Sequence, residues 1–140
     1  MSDLVNFCEL VKVKGASDLH LLPGEKLYYR VNGILEHIDK HVSEDQIKKI
    51  ILETSTPKAR EILGRQRQVT YACEVSGIGR LRLSVFFERG HFAIAVRFIN
   101  ENFFELEDLG FNEIQKKALA QQAGLILVGS PSCEGVRSRT

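Results

Sequence analysis

The sequence predicts an α+β fold, in which helices accompany an antiparallel β-sheet. The stretch from residue 68 to residue 99 divides into three strands joined by short turns, a pattern typical of neighbouring antiparallel strands. Helix-capping residues stand elsewhere in the chain, at Ser2, Ser43, Thr56 and Asn112. Together the two kinds of signal indicate the α+β class.

The composition is that of an ordinary soluble globular chain. Its 140 residues are 44% apolar and 26% charged, enough for one domain and at most the first element of another. A net charge of +1 without any Lys/Arg-rich run argues against nucleic-acid binding. Three widely spaced cysteines (Cys8, Cys73 and Cys133) without metal-ligand spacing indicate reduced thiols and no metal site. Since we find no secretion signal and no membrane-spanning stretch, we expect a cytosolic protein.

The first predicted element is a helix that Ser2 and Asp3 cap and Gly15 ends. Its apolar residues recur at helical spacing. They are Leu4, Val5, Cys8 and Val11.

Three short strands are predicted next. Alternation over residues 19–21 indicates one strand, and Pro23-Gly24 marks a turn. Leu27 to Val31 indicates a second strand, and Asn32-Gly33 is a hairpin signal before a return strand through Leu35.

Two helices are predicted before the three-stranded stretch. Residues 43–46 form a capping box in front of an apolar helical face. Thr56-Pro57 then opens a helix that is expected to end near Gly64.

The domain boundary is predicted after the three strands. Residues 1–100 form the first domain, 101–110 an acidic and aromatic linker, and 111–140 the start of a second domain. In that second domain Asn112 caps a helix to about Gln122, and Leu125 to Val128 is predicted to be a strand.

The register of the predicted three-stranded sheet follows from its turns. A two-residue turn at Arg89-Gly90 sets four apolar pairs on one face, which a slip of one residue would destroy. These pairs are Phe87 with Phe92, Val85 with Ile94, Leu83 with Val96, and Leu81 with Phe98. On the other face the same register sets Arg82 directly opposite Arg97, a destabilising pair of like charges.

The neighbouring strand is predicted to neutralise only one arginine. A three-residue loop at 76–78 sets Glu74 opposite Arg80 but only Ala72 opposite Arg82. Arg82 and Arg97 are then uncompensated, which suits an anion such as phosphate, and removing Arg97 should relieve repulsion. Alternatively both arginines extend into water or pair with a linker carboxylate such as Glu105, or a bulge breaks the register.

The last residues have the layout of a phosphate-binding P-loop without its functional groups. A buried-type strand runs into a Gly/Ser-rich turn. Alignment on Gly135 sets Ser130 at the first glycine, Val136 at the phosphate lysine and Arg137 at the Mg²⁺-binding hydroxyl. The candidate nucleotide-binding residues are therefore Ser130, Ser132, Gly135 and Arg137, in a degenerate loop.

Seven segments together resemble the PilT/GspE family of secretion and pilus motor ATPases (type II/IV secretion system protein E). Only Asn32, in place of the usual Asp, departs mildly from the pattern before the P-loop. The segments are GASDLHL (15–21), RVNGIL (30–35), GRLRLSVF (79–86), ERG (88–90), AVRFI (95–99), LEDLGF (106–111) and GLILV (124–128).

The resemblance implies a PAS-like N-terminal domain joined to the first helix and strand of a RecA-like motor domain. In this family Arg82 and Arg97 would approach the γ-phosphate of ATP, which the motor domain binds together with Mg²⁺. Family members form homohexamers on the cytoplasmic side of the inner membrane. There they contact their own and neighbouring motor domains and the secretion or pilus platform proteins. Asp18 and His20 belong to the signature, and we expect a satisfied polar or interface role for both.

Two functions remain open from the sequence. The chain is either part of a motor ATPase that supplies arginines to nucleotide and contacts its ring neighbours, or a non-catalytic scaffold or regulatory relative. Residues 130–140 are correspondingly either a native degenerate loop or not native sequence. A free-standing small-molecule sensor is third, and the scattered histidines do not favour it. In either main case we expect this chain alone to bind nucleotide weakly and not to hydrolyse ATP, because the phosphate cradle is incomplete.

Overall fold

The computed structural model describes residues 2–99 and 105–127, which form four helices and six strands. The helices are α1 (Ser2–Lys12), α2 (Glu44–Thr54), α3 (Pro57–Gln66) and α4 (Glu113–Leu119). The strands are β1 (Asp18–Leu21), β2 (Lys26–Val31), β3 (Ile34–His41), β4 (Gln68–Val75), β5 (Gly79–Glu88) and β6 (His91–Phe98). The chain divides into two units, residues 1–100 and residues 101–140; α4 belongs to the second.

The six strands form one antiparallel sheet in the order β3-β2-β1-β6-β5-β4. The four-residue strand β1 lies in the middle and pairs with β2 on one side and β6 on the other. It thereby joins a meander of β1, β2 and β3 to a meander of β4, β5 and β6. The α+β class expected from the sequence is confirmed.

The core lies between one face of this sheet and the helices α1, α2 and α3. Alternate residues of β1 and β5 are buried, because successive side chains of a strand point to opposite faces. The helices contribute regularly spaced apolar residues such as Leu4, Phe7 and Ile50, all fully buried. The opposite face of the sheet carries the alternate, mostly polar residues, and the candidate site lies there.

The predicted register of the three-stranded stretch is confirmed pair by pair. Arg89 and Gly90 have φ values of 49° and 92°, and Asn32 and Gly33 have 49° and 81°, as a two-residue type I′ turn requires. The capping box at Ser43 and Gln46 is also confirmed, with both reciprocal hydrogen bonds present.

Several predicted ends are wrong. The helix α3 continues past Gly64 to Gln66 and ends where Arg67 adopts a left-handed conformation with φ 60°. Strand β3 runs to His41 rather than stopping at Leu35, because it pairs with β2 along almost its whole length. The sequence pattern predicted only the part of α3 and of β3 in which apolar residues recur regularly, and both elements extend beyond it.

The second unit contains less regular structure than expected. Its helix α4 ends at Leu119, short of residue 122. No strand forms over residues 125–127, and Val128 lies outside the described residues. A strand needs a hydrogen-bonded neighbour, and no other described residue pairs with this segment. No helix among the described residues is long and apolar enough to cross a membrane.

Candidate anion-binding face

Four charged residues form a row across the sheet on the face opposite the core. Asp18 of β1 is directly opposite Arg30 of β2 and also directly opposite Arg97 of β6. Arg97 is in turn directly opposite Arg82 of β5. Because directly paired residues project from the same face of a sheet, the four side chains share one surface.

Arg97 has a counter-ion, so the prediction that it is uncompensated is wrong. Its Nε donates to Oδ1 of Asp18 at 2.7 Å. The Ser17 hydroxyl donates to the other carboxylate oxygen at 2.8 Å, so both oxygens of Asp18 are occupied. The Asp18 side chain is only 13% exposed, whereas that of Arg97 is 52% exposed. The prediction failed because it considered the neighbours of Arg97 within β4–β6 and not the pairing of β6 with β1.

Arg82, unlike Arg97, agrees with the prediction that its charge is uncompensated. It is exposed and lies between Ala72 and Arg97 in the register. Among the described residues no carboxylate lies within 4.0 Å of its guanidinium. Within the described residues, Arg82 is thus a guanidinium without a carboxylate partner, and it lies beside Arg97, which shares its charge with Asp18.

Arg80 serves as a comparison on the same strand. Its register position opposite Glu74 is confirmed. Nevertheless, within the part of the chain that the structure describes, the two side chains form no ion pair within 4.0 Å. Both residues are exposed, and hydration competes with such a surface pair. Glu74 therefore lies opposite Arg80, as predicted, but the two side chains do not form the expected ion pair.

Arg30 was missed as a candidate by the sequence reasoning. Its Nη1 donates to the carbonyl oxygen of Gly33 at 2.8 Å, in the β2–β3 turn. In the β1–β2 register Leu19 is opposite Tyr29, and this sets Arg30 directly opposite Asp18. The alternation of residues 19–21 predicted β1, so pairing β1 with β2 could have identified Arg30 from the sequence. Three guanidinium groups and one carboxylate leave an excess of positive charge on this row.

His20 lies on the same face, two residues along β1 from Asp18, with Tyr28 and Ala95 as its direct neighbours. Its Nε2 is buried and has no hydrogen-bond partner among the described residues. Burial lowers the pKa of His20, and Asp18 opposes that shift while Arg30 adds to it. The imidazole therefore stays neutral near pH 7 and adds no charge to the row. The satisfied polar role, one of the two expected from the sequence, holds for Asp18; Nε2 of His20 is not satisfied among the described residues, and the interface role expected as the alternative stays a prediction.

This arrangement can bind an anion more readily than it can perform acid–base chemistry. Guanidinium groups offer several N–H donors in a planar fork that matches phosphate oxygens. The described residues contain no group of three or more His, Cys, Asp or Glu side chains that could hold a metal ion. The other candidate nucleotide-binding residues lie outside the described residues; they are Ser130, Ser132, Gly135 and Arg137.

The chain resembles known pilus ATPases in sequence, although no family model matches it. It is 30% identical over 119 residues to the type IV pilus ATPase PilU of Pseudomonas aeruginosa, a match that covers 84% of this chain and 31% of PilU. It is 27% identical over 134 residues to the type IV pilus retraction ATPase PilT of the same organism, covering 95% of this chain and 39% of PilT. The chain thus spans about a third of the length of these relatives.

The fold is also that of solved motor ATPases. A crystal structure of the pilus retraction motor PilT with bound ADP superposes with a TM-score of 0.79 at 30% identity, covering 94% of this chain and 40% of that one. The Legionella pneumophila ATPase DotB superposes with a TM-score of 0.62 at 22% identity, covering 88% of this chain and 35% of DotB, a likeness of fold alone. Both comparisons support the PilT/GspE-type family of secretion and pilus ATPases, and this chain is similar to the N-terminal region of PilT.

Proposed function

We propose that this chain is the N-terminal part of a type IV pilus motor ATPase and that Arg82 and Arg97 contact the phosphates of a nucleotide. The names of the matched relatives support the first half of the proposal. The second half rests on one observation: Arg82 has no carboxylate partner among the described residues and lies directly opposite Arg97 on an exposed face.

The direct opposition of the two arginines is costly unless it serves a ligand. Like charges in directly paired positions destabilise a sheet, by roughly 0.2–1 kcal/mol. Positioned cations in turn stabilise the charge that develops on a transferring phosphoryl group. ATP and Mg²⁺ would be held mainly by the motor domain of the longer protein, and this chain alone would bind them weakly. The ring partners, the position at the cytoplasmic side of the inner membrane and the PAS-like character are part of the same proposal.

The test uses a full-length relative that carries matching arginines. Alanine at the positions of Arg82 and Arg97 should lower ATP turnover strongly, since arginine fingers contribute on the order of 10³-fold or more. Alanine at the position of Arg80 is the matched control, because it removes the same charge from the same strand outside the row. If the Arg80 substitution abolishes turnover and the other two leave it intact, the assigned roles are wrong.

The alternative function, a scaffold or regulatory relative, rests on the composition of the loop. Val136 and Arg137 occupy the positions of the phosphate lysine and the Mg²⁺-binding hydroxyl. Substituting Lys and Ser at these positions in the longer protein distinguishes the two functions. Turnover that appears only after the substitution favours the scaffold, and turnover by the natural sequence favours the motor.

A further inference from the structure

Asp18 is the anion within the cationic row. It lies directly between Arg30 and Arg97 in the register, and its carboxylate is largely buried. The hydrogen bond from the Ser17 hydroxyl holds one oxygen, while the other accepts from Arg97 Nε. A carboxylate held in this way is a fixed feature of the face and not a mobile surface charge.

The geometry of the ion pair leaves part of Arg97 available. Asp18 is bound through Nε, and the terminal Nη1 and Nη2 of Arg97 form no other ion pair or hydrogen bond with the described residues. A phosphate can therefore approach the end of the guanidinium while Asp18 remains bound. The incoming anion then meets a cation whose charge is already shared and a carboxylate that repels it.

We propose that Asp18 is a built-in counter-ion that lowers the affinity of the arginine row for phosphate anions. This inference rests on the proposed function and concerns the regulation of the same site. The row then retains little free phosphate by itself and contributes fully only when the motor domain presents a nucleotide to it. Arg82, which has no carboxylate within ion-pair distance among the described residues, supplies most of the intrinsic attraction.

The experiment measures the Kd of the 140-residue chain for inorganic pyrophosphate by NMR titration at fixed ionic strength. Asp18→Asn should tighten binding by about two- to five-fold, the effect expected from an ion pair that is partly exposed to solvent. Glu74→Gln is the matched control, because it adds the same charge on the same face but outside the row. It should change the Kd by much less.

Two further variants separate this inference from the proposed function. Arg82→Ala should weaken pyrophosphate binding more than Arg97→Ala does, because Arg97, unlike Arg82, shares its charge with Asp18. This comparison also decides the matter if Asp18→Asn fails to fold. The counter-ion role is overturned if Arg97→Ala loses more affinity for pyrophosphate than Arg82→Ala does. It is also overturned if Asp18→Asn and Glu74→Gln increase that affinity equally. If neither arginine substitution weakens binding, Arg82 and Arg97 do not bind the anion in the isolated chain and the counter-ion role fails; the proposed function is decided separately, by the turnover of the full-length relative.

Discussion

The most direct test of the site in the isolated chain is the thermal stability of two single substitutions, Arg82→Ala and Arg97→Ala. Both remove the repulsion between the two guanidinium groups, which is worth roughly 0.2–1 kcal/mol. Only Arg97→Ala also removes the ion pair with Asp18 and leaves that largely buried carboxylate with the Ser17 hydroxyl. Because Arg97 is half exposed, this loss is about 0.5–1 kcal/mol after solvent screening.

The two substitutions should therefore differ in their effect on stability. Arg82→Ala should be neutral or slightly stabilising, and Arg97→Ala neutral or slightly destabilising, with a separation of about 0.5–1 kcal/mol. For a unit of this size, that free-energy difference corresponds to about 2–8 °C in Tm. Scanning calorimetry or circular dichroism measures it directly.

Salt provides the internal check on this reasoning. In 1 M NaCl the Debye length falls to about 3 Å, so the separation between the two variants should shrink. The explanation fails if Arg82→Ala melts below Arg97→Ala at low salt. It also fails if the separation is the same at both salt concentrations, since packing rather than charge would then cause it.

Three further predictions concern the rest of the first unit. Burial raises the pKa of Cys8 to about 12 from 9.0. The contribution of the buried thiol to stability is therefore fully present below pH 9 and should be lost as the pH rises towards 12. The midpoint of urea unfolding should fall over this pH range in the natural chain, and it should fall less in Cys8→Ala. Ser43→Ala should cost about 1 kcal/mol through the lost α2 cap, whereas Ser43→Gly should cost only a few tenths in the same denaturation assay. Arg89→Asn should raise Tm, because a left-handed turn position costs arginine about 1 kcal/mol. Asn32→Arg, in the equivalent position of the β2–β3 turn, should lower Tm by a similar amount. Equal Tm values for both variants and the natural chain would contradict this prediction.

Local rules predicted the part of the sheet in which neighbours in sequence are neighbours in space. The turns at 76–78 and 89–90 determine the partners of β4, β5 and β6, so a constant sum of residue numbers was sufficient. The same reasoning identified Arg82 and its opposition to Arg97. It could also have reached Arg30, through the pairing of β1 with β2.

The pairing of β1 with β6 was beyond such rules. Asp18 and Arg97 are 79 residues apart, and no turn links their strands. Which edge of the three-stranded meander receives β1 depends on the packing of the helices against the whole sheet. The counter-ion of Arg97 was missed for this reason, although both residues had been singled out separately. The extension of α3 past Gly64 to Gln66 was not predicted, because an arginine in a left-handed conformation after the helix carries no sequence signal.

The central position of the short strand β1 has a consequence for how the first unit assembles and comes apart. Each three-stranded meander closes only short loops, whereas joining β1 to β6 brings distant segments together and costs more chain entropy. We expect this junction to form late in folding, so substitutions along it should accelerate unfolding and leave the folding rate almost unchanged. Arg30 belongs to one meander and Arg82 to the other, so an anion bound along the row would span the junction. Such a ligand would slow unfolding, because the two meanders could not separate while it remained bound to both.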